Sequence, residues 1–263
     1  MAYTDIALMA HLMRRAGFGA QYDELQDRAT KGYEATLEEL LNPNEQSNGL
    51  ELDVAERYFI EWNHFTRGVP EYFAWRMINS KNQLEEKMLL FWQGILCTSD
   101  SKVQNYVVSY TELEMFRRFG MGSFRDLLVE ISKDPAMVYF LDNCLSHKDA
   151  INENYGRELL ELFSMGVGMD GQFNYTEDDV KECSRAFTGW TIANSVPSQP
   201  YGRYDARFVY NPGDHDDGMK TFLGETGRFN GEDVVDIIVK QPATARFLSR
   251  HLYSFFVADE AQV

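Results

Sequence analysis

Cysteine is scarce in this 263-residue chain. The three present, Cys97, Cys144 and Cys183, are far apart, odd in number and without Cys-x-x-Cys spacing, which argues against a disulfide framework and a cysteine zinc site. Buried free thiols are the expected state. Positive charge is also short: 25 Lys and Arg stand against 41 Asp and Glu, for a net charge of -16. A phosphate backbone repels that balance, and the densest basic sites are only Arg14-Arg15 and Arg117-Arg118, so no nucleic-acid partner is expected. No apolar run approaches the ~18 residues needed to span a membrane. The start, Met1-Ala2-Tyr3-Thr4-Asp5, lacks the basic and apolar regions of a secretory signal, which makes a cytoplasmic location the default expectation. A processed exported protein would read the same way. Neither a G-x-S-x-G elbow nor an H-E-x-x-H helix occurs, so the commonest local signatures of serine hydrolases and zincins are missing.

What the chain does have is core-forming material: 44% hydrophobic and 14% aromatic residues place it among globular proteins despite its charge. At this length roughly 70 to 75% of the unfolded surface can be buried. Helix punctuation recurs from the start. Runs from Ile6 to Ala16, Tyr22 to Gly32 and Ala35 to Leu41 precede a polar stretch, Asn42 to Gly49, that reads as a loop. Further helices are predicted over Leu52 to Phe65, Pro70 to Ile78, Leu84 to Leu96, Val103 to Phe119, Phe124 to Ser132 and Pro135 to Cys144. Thr176 with Asp179 forms a shortened capping box that opens a helix from Glu177 to about Phe187. From Thr191 to Gly231 prolines, glycines and acids end the helical period, with a short strand at Arg207 to Tyr210, before helices resume over Glu232 to Lys240 and Ala243 to Val257.

These signals predict a mainly α protein, a multi-helix orthogonal bundle with one long irregular loop and at most a minor β element. Residues 1–45 read as an N-terminal helical subdomain and 50–263 as the main helical domain, with the irregular insertion at 191–231. The chain stops almost directly after an apolar helix, which reads as the end of an incomplete protein.

Polar chemistry concentrates in Asn152-Glu153-Asn154-Tyr155-Gly156-Arg157-Glu158-Leu159-Leu160-Glu161-Leu162-Phe163. On a 3.6-residue period Asn154, Glu158 and Glu161 share one stripe, while Tyr155, Leu159, Leu162 and Phe163 share another. Asn152 and Asn154 serve equally well as helix caps, and Arg157 with Glu161 as an ordinary i, i+4 ion pair. The oxygen-bearing stripe would coordinate a hard divalent cation, such as calcium or magnesium, if another acidic segment faced it. The helix with Asp178, Glu182 and Arg185 on one side is the expected partner. His215 lies in an acidic turn, Gly213 to Lys220, where carboxylates would orient its imidazole or hold a cation with Asp216; a solvated turn explains it as well. Gly166 to Gly171 matches G-x-G-x-x-G, yet a helix precedes it, so Gly166 is read as a C-terminal cap.

The chain resembles a bacterial family of unknown function numbered 1800. The resemblance rests on His11 to Gly19, Glu86 to Trp92, Asp134 to Met137, Asn152 to Phe163, Arg185 to Trp190 and His215 to Gly224, in family order over nearly the whole chain. It implies no established activity. It does imply that members are often exported, are longer than this chain and are often encoded beside a sulfatase-like uncharacterised family. Relatives commonly carry histidines where this chain has Gln93 and Ile95, and that departure weakens a metal reading.

Two functions follow as expectations. One is a helical binding or assembly module with an acidic, cation-binding polar site, engaging a partner protein of the sulfatase-like family. The other is a metal-dependent hydrolase-like enzyme with Glu158, Glu161, His215 and Arg157 as catalytic groups and Asn154, Glu158, Glu161, Asp178 and Asp216 as metal ligands.

Overall fold

In a computed structural model, the described residues are 3–42, 68–169, 172–193 and 206–258. The helix expected over Leu52 to Phe65 lies outside them. Among the described residues the chain is mainly α, with thirteen α-helices and three small two-stranded antiparallel sheets.

Three short helices come first: α1 (Tyr3–Arg15), α2 (Tyr22–Lys31) and α3 (Tyr33–Leu41). Their apolar faces bury Met9, Leu12, Met13, Leu25 and Leu40 in a cluster of their own, closed by Leu84. Leu84 belongs to α5 (Gln83–Gln93), which follows α4 (Gly68–Asn79). One continuous helix was expected from Val103 to Phe119, but the chain breaks it in two. Gln104 turns left-handed at φ 47°, and the Asn105 side chain accepts from the Val107 and Val108 N–H groups, so α6 (Asp100–Val103) ends and α7 (Tyr106–Phe119) starts afresh.

Ser123 caps α8 (Phe124–Lys133), and Asp134 followed by Pro135 caps α9 (Pro135–Phe140), a cap with proline at the first helical position. The motif helix is α10 (Asn154–Glu161). Its partner α11 (Glu177–Ala186) begins at the expected Thr176–Asp179 capping box, and α12 (Gly231–Ile238) at a second box, Asn230–Asp233. The last helix is α13 (Pro242–Phe256). Leu89, Phe116, Leu128, Leu159, Val180, Phe187 and Val234 come from six of these helices and the turn after α11, and they share one buried core.

The β structure is minor. Strand β1 (Gly168–Met169) pairs with β2 (Gln172–Phe173), in register Gly168 to Phe173. The stretch read as a long loop supplies the other two sheets. Strand β3 (Trp190–Ile192) pairs with β4 (Phe208–Tyr210), Trp190 opposite Tyr210, and β5 (Lys220–Phe222) pairs with β6 (Glu225–Gly227). Part of that stretch, 194–205, lies outside the described residues.

A cluster of charge sits deep in the fold. Glu86 of α5 is fully buried and accepts from Arg76 Nε of α4 at 2.7 Å and from Arg117 of α7 at 3.0–3.1 Å. Arg76 also donates to Tyr72 Oη at 3.1 Å, and both guanidinium groups lie 5.5–5.9 Å from the Tyr72 ring centre. This Arg–Glu–Arg triad ties α4, α5 and α7 together at Glu86.

Candidate functional site

Helix α10 packs on α11 across a very small residue. A Cβ on Gly156 would lie 2.2 Å from Ser184 Oγ and 3.0 Å from its backbone nitrogen, so glycine lets the two helices approach. Tyr155, Leu159, Leu160 and Phe163 are buried beneath the crossing, and Tyr155 Oη lies on Ser132 Oγ at 2.5 Å. Leu162, expected on this face, instead points outward and is 52% exposed. Helix α10 has already ended at Glu161, and Leu160 takes the inward place. Gly166, at φ 72°, donates to the Leu160 carbonyl, the expected C-terminal capping turn.

The polar face of α10 pairs differently from the i, i+4 expectation. Arg157 does not bond Glu161. Its guanidinium grips Glu177 of α11 in a bidentate pair, Nη1–Oε1 2.9 Å and Nη2–Oε2 2.7 Å, and reaches Glu153 at 3.4 Å. That pair holds Glu177 below the usual carboxylate range. Glu161 accepts from Tyr175 Oη at 3.2 Å, and Tyr175 is pushed up to about 12, by partial burial first and then by the Glu161 charge. The half-buried Glu158 carboxylate has no side-chain partner among the described residues. Burial, and then Glu161 one turn away, raise it above an ordinary glutamate. Asn154 and Asn152 hold the helix start: Asn152 Oδ1 accepts from the Asn154 N–H, and Asn154 Nδ2 donates to the Leu141 carbonyl.

The acidic turn around His215 is an ordered clasp rather than a solvated loop. Helix α11 presents Asp179, Glu182 and Arg185 to it, one per turn. Asp179 Oδ1 accepts from Leu223 N–H at 2.7 Å while Oδ2 completes the capping box, and Glu182 accepts from Thr221 N–H at 3.2 Å. Arg185 grips Asp216 bidentately and donates to the Met219 carbonyl at 3.1 Å, which holds Asp216 below the usual carboxylate range. The buried Lys220 ammonium donates to the Asp216 and Gly218 carbonyls, and burial lowers its affinity for its proton. His215 is 6% exposed and its Nδ1 lies 2.9 Å from the Thr188 carbonyl. A carbonyl only accepts, so Nδ1 carries the hydrogen, and Nε2 is left 3.9 Å from the exposed Asp217.

Of the residues singled out from sequence, Arg157, Glu158, Glu161 and Asn154 share the outer face of α10. His215 and Asp216 are joined to each other's neighbours in the clasp on the far turns of α11. Asp178 is exposed at the start of α11. The five expected metal ligands are not gathered: among the described residues no three His, Cys, Asp or Glu form a group that could hold a metal ion. Asp216 is instead committed to Arg185, and Asn154 to Leu141. Gln93 and Ile95, the positions where relatives are expected to carry histidine, have separate surroundings here. Gln93 lines a cavity, whereas Ile95 packs on the core.

Sequence reasoning missed two buried carboxyls, Glu112 of α7 and Asp134 before α9. Glu112 looks like a solvated helical glutamate until tertiary packing is known. Asp134 carries a cap signal, Asp-Pro, that says nothing of its burial.

A family model described as "Protein of unknown function (DUF1800)" matches residues 11–263. No curated protein and no solved structure matches this chain.

Proposed function

We propose that this chain, which belongs to the DUF1800 family of proteins of unknown function, is a non-catalytic binding or assembly module that engages a partner protein through α10. The observation that carries this reading is the outer face of α10. There the unpartnered Glu158 stands beside Glu161, and the segment that follows exposes Leu162, Val167 and Phe173, the last at 75%. Charge beside exposed apolar side chains suits a protein interface better than a reaction centre. Arg157, Glu158 and Glu161 are its contact residues, with Asn154 setting the helix start. The partner's matching chemistry is a basic surface around an apolar anchor, and the family resemblance points to a sulfatase-like protein.

A hydrolase would require Glu158, Glu161 and His215 to converge. With the His215 Nδ1 hydrogen on Thr188 and Asp216 gripped by Arg185, that alternative is not favoured. The test is titration of the chain with a sulfatase-like protein from the same source, at two salt concentrations. A complex that weakens at least about tenfold in Glu158→Lys with Phe173→Ser, and weakens with salt, supports the reading. No complex, or one indifferent to both changes, overturns it.

A further inference from the structure

A second site lies away from α10, between the start of α4, the end of α5 and the middle of α7. It is a cavity of about 360 Å³, near the lower end of the range for small-molecule sites. Val69, Pro70 and Leu113 supply apolar wall, and Thr98, Asp100 and Glu112 supply oxygen. Its lining has no lysine, arginine or histidine.

Glu112 is the informative group. It is 3% exposed; Oε2 accepts from Thr98 Oγ1 at 3.1 Å, while Oε1 has no hydrogen-bond partner among the described residues. Leaving a buried carboxyl oxygen unsatisfied is costly, and a bound donor would recover that cost. Glu86, by contrast, has its counter-charges in Arg76 and Arg117. Glu112 has another carboxyl as its electrostatic neighbour, Asp134, and burial first and that neighbour second keep it well above the usual carboxylate range. Asp100 adds a second acid, exposed on the same cavity.

We propose that this cavity binds a short aliphatic amine, its ammonium group donating to the free Glu112 Oε1 and its carbon chain lying on Val69, Pro70 and Leu113. In a diamine the second ammonium reaches the acidic mouth at Asp100. The ligand brings the positive charge that the described lining lacks, with an apolar chain that matches its apolar wall. A divalent ion fits less well, because no three acidic, histidine or cysteine ligands are grouped among the described residues. The inference is independent of the α10 interface, and either can fail alone.

The experiment is calorimetric titration of the protein at pH 7 with butylamine, 1,4-diaminobutane, butan-1-ol and magnesium chloride, each in a buffer without a primary amine or phosphate, such as HEPES. The expected result is amine binding, tighter for the diamine and much weaker for the alcohol. That ranking is read on the parent chain and needs no variant. Glu112→Gln is expected to weaken both amines at least about tenfold, and Asp100→Asn, at an exposed position, to weaken the diamine alone. No amine binding at millimolar concentration, equal binding of the alcohol, magnesium binding lost in Glu112→Gln, or amine binding unchanged in that variant would each overturn the proposal.

Discussion

Gly156 of α10 lies directly against Ser184 of α11. A single methyl at position 156 would intrude on both the Ser184 hydroxyl and its backbone nitrogen, at 2.2 and 3.0 Å. Glycine in mid-helix ordinarily costs about 1 kcal/mol relative to alanine. Here the sign reverses, and Gly156→Ala is expected to destabilise by about 1–3 kcal/mol through overpacking. Urea unfolding midpoints measure it. Adding Ser184→Gly should recover part of the loss, since it removes the hydroxyl but leaves the backbone contact. An alanine variant as stable as the parent would contradict the close approach.

The crossing also shows what one-dimensional reading reaches. Caps were legible because they are local: Thr176 with Asp179, and Gly166 after α10, need only neighbours within a few residues. The partner of Arg157 was not. Helical arithmetic offers Glu161, but the crossing brings Glu177 from twenty residues away in better bidentate geometry. Likewise the break at Gln104 depends on a left-handed residue that no apolar pattern marks. His215 was found by its acidic company, whereas its role as a buried prop against Thr188 depends on how residues 188 and 215 meet.

Glu86 predicts a contrast between breaking and replacing. Glu86→Gln leaves Arg76 and Arg117 facing each other in a buried site and is expected to cost about 3–5 kcal/mol. The triple change Arg76→Met, Glu86→Leu, Arg117→Met removes all three charges of the triad and should cost less than the single one. Guanidinium denaturation of both proteins decides it. A triple variant worse than Glu86→Gln would mean that the triad contributes net stability.

Asp216 gives a pH-dependent test of the clasp. Its carboxyl is held low by Arg185, so the native state releases its proton more readily than the unfolded chain. The stabilisation is therefore complete above the unfolded carboxylate value of about 3.9 and is lost as pH falls from there through the folded value. Asp216→Asn should cost about 1.5–3 kcal/mol at pH 7, and the gap from the parent should shrink below about pH 4. A gap that stays constant down to pH 3 would show that the pair's charge is unimportant.

Asp134 carries the opposite sign. Burial pushes its carboxyl up to about 7, although Oδ1 accepts from the Ala136 and Met137 N–H groups at 2.9 and 3.2 Å. An acid with a raised folded value binds its proton more tightly in the native state. Its ionisation thus erodes stability as pH climbs from about 4, the unfolded value, through about 7. Asparagine caps a helix as well as aspartate and has no proton to lose. Asp134→Asn should therefore match the parent near pH 4 and exceed it at pH 8, by an amount on the order of 2 kcal/mol. The same change removes the charge that helps raise Glu112, so the variant should also show Glu112 titrating lower. Urea unfolding from pH 4 to 8 measures the first effect, and carboxyl carbon NMR the second. A stability difference that does not change with pH would mean that Asp134 is not the titrating group.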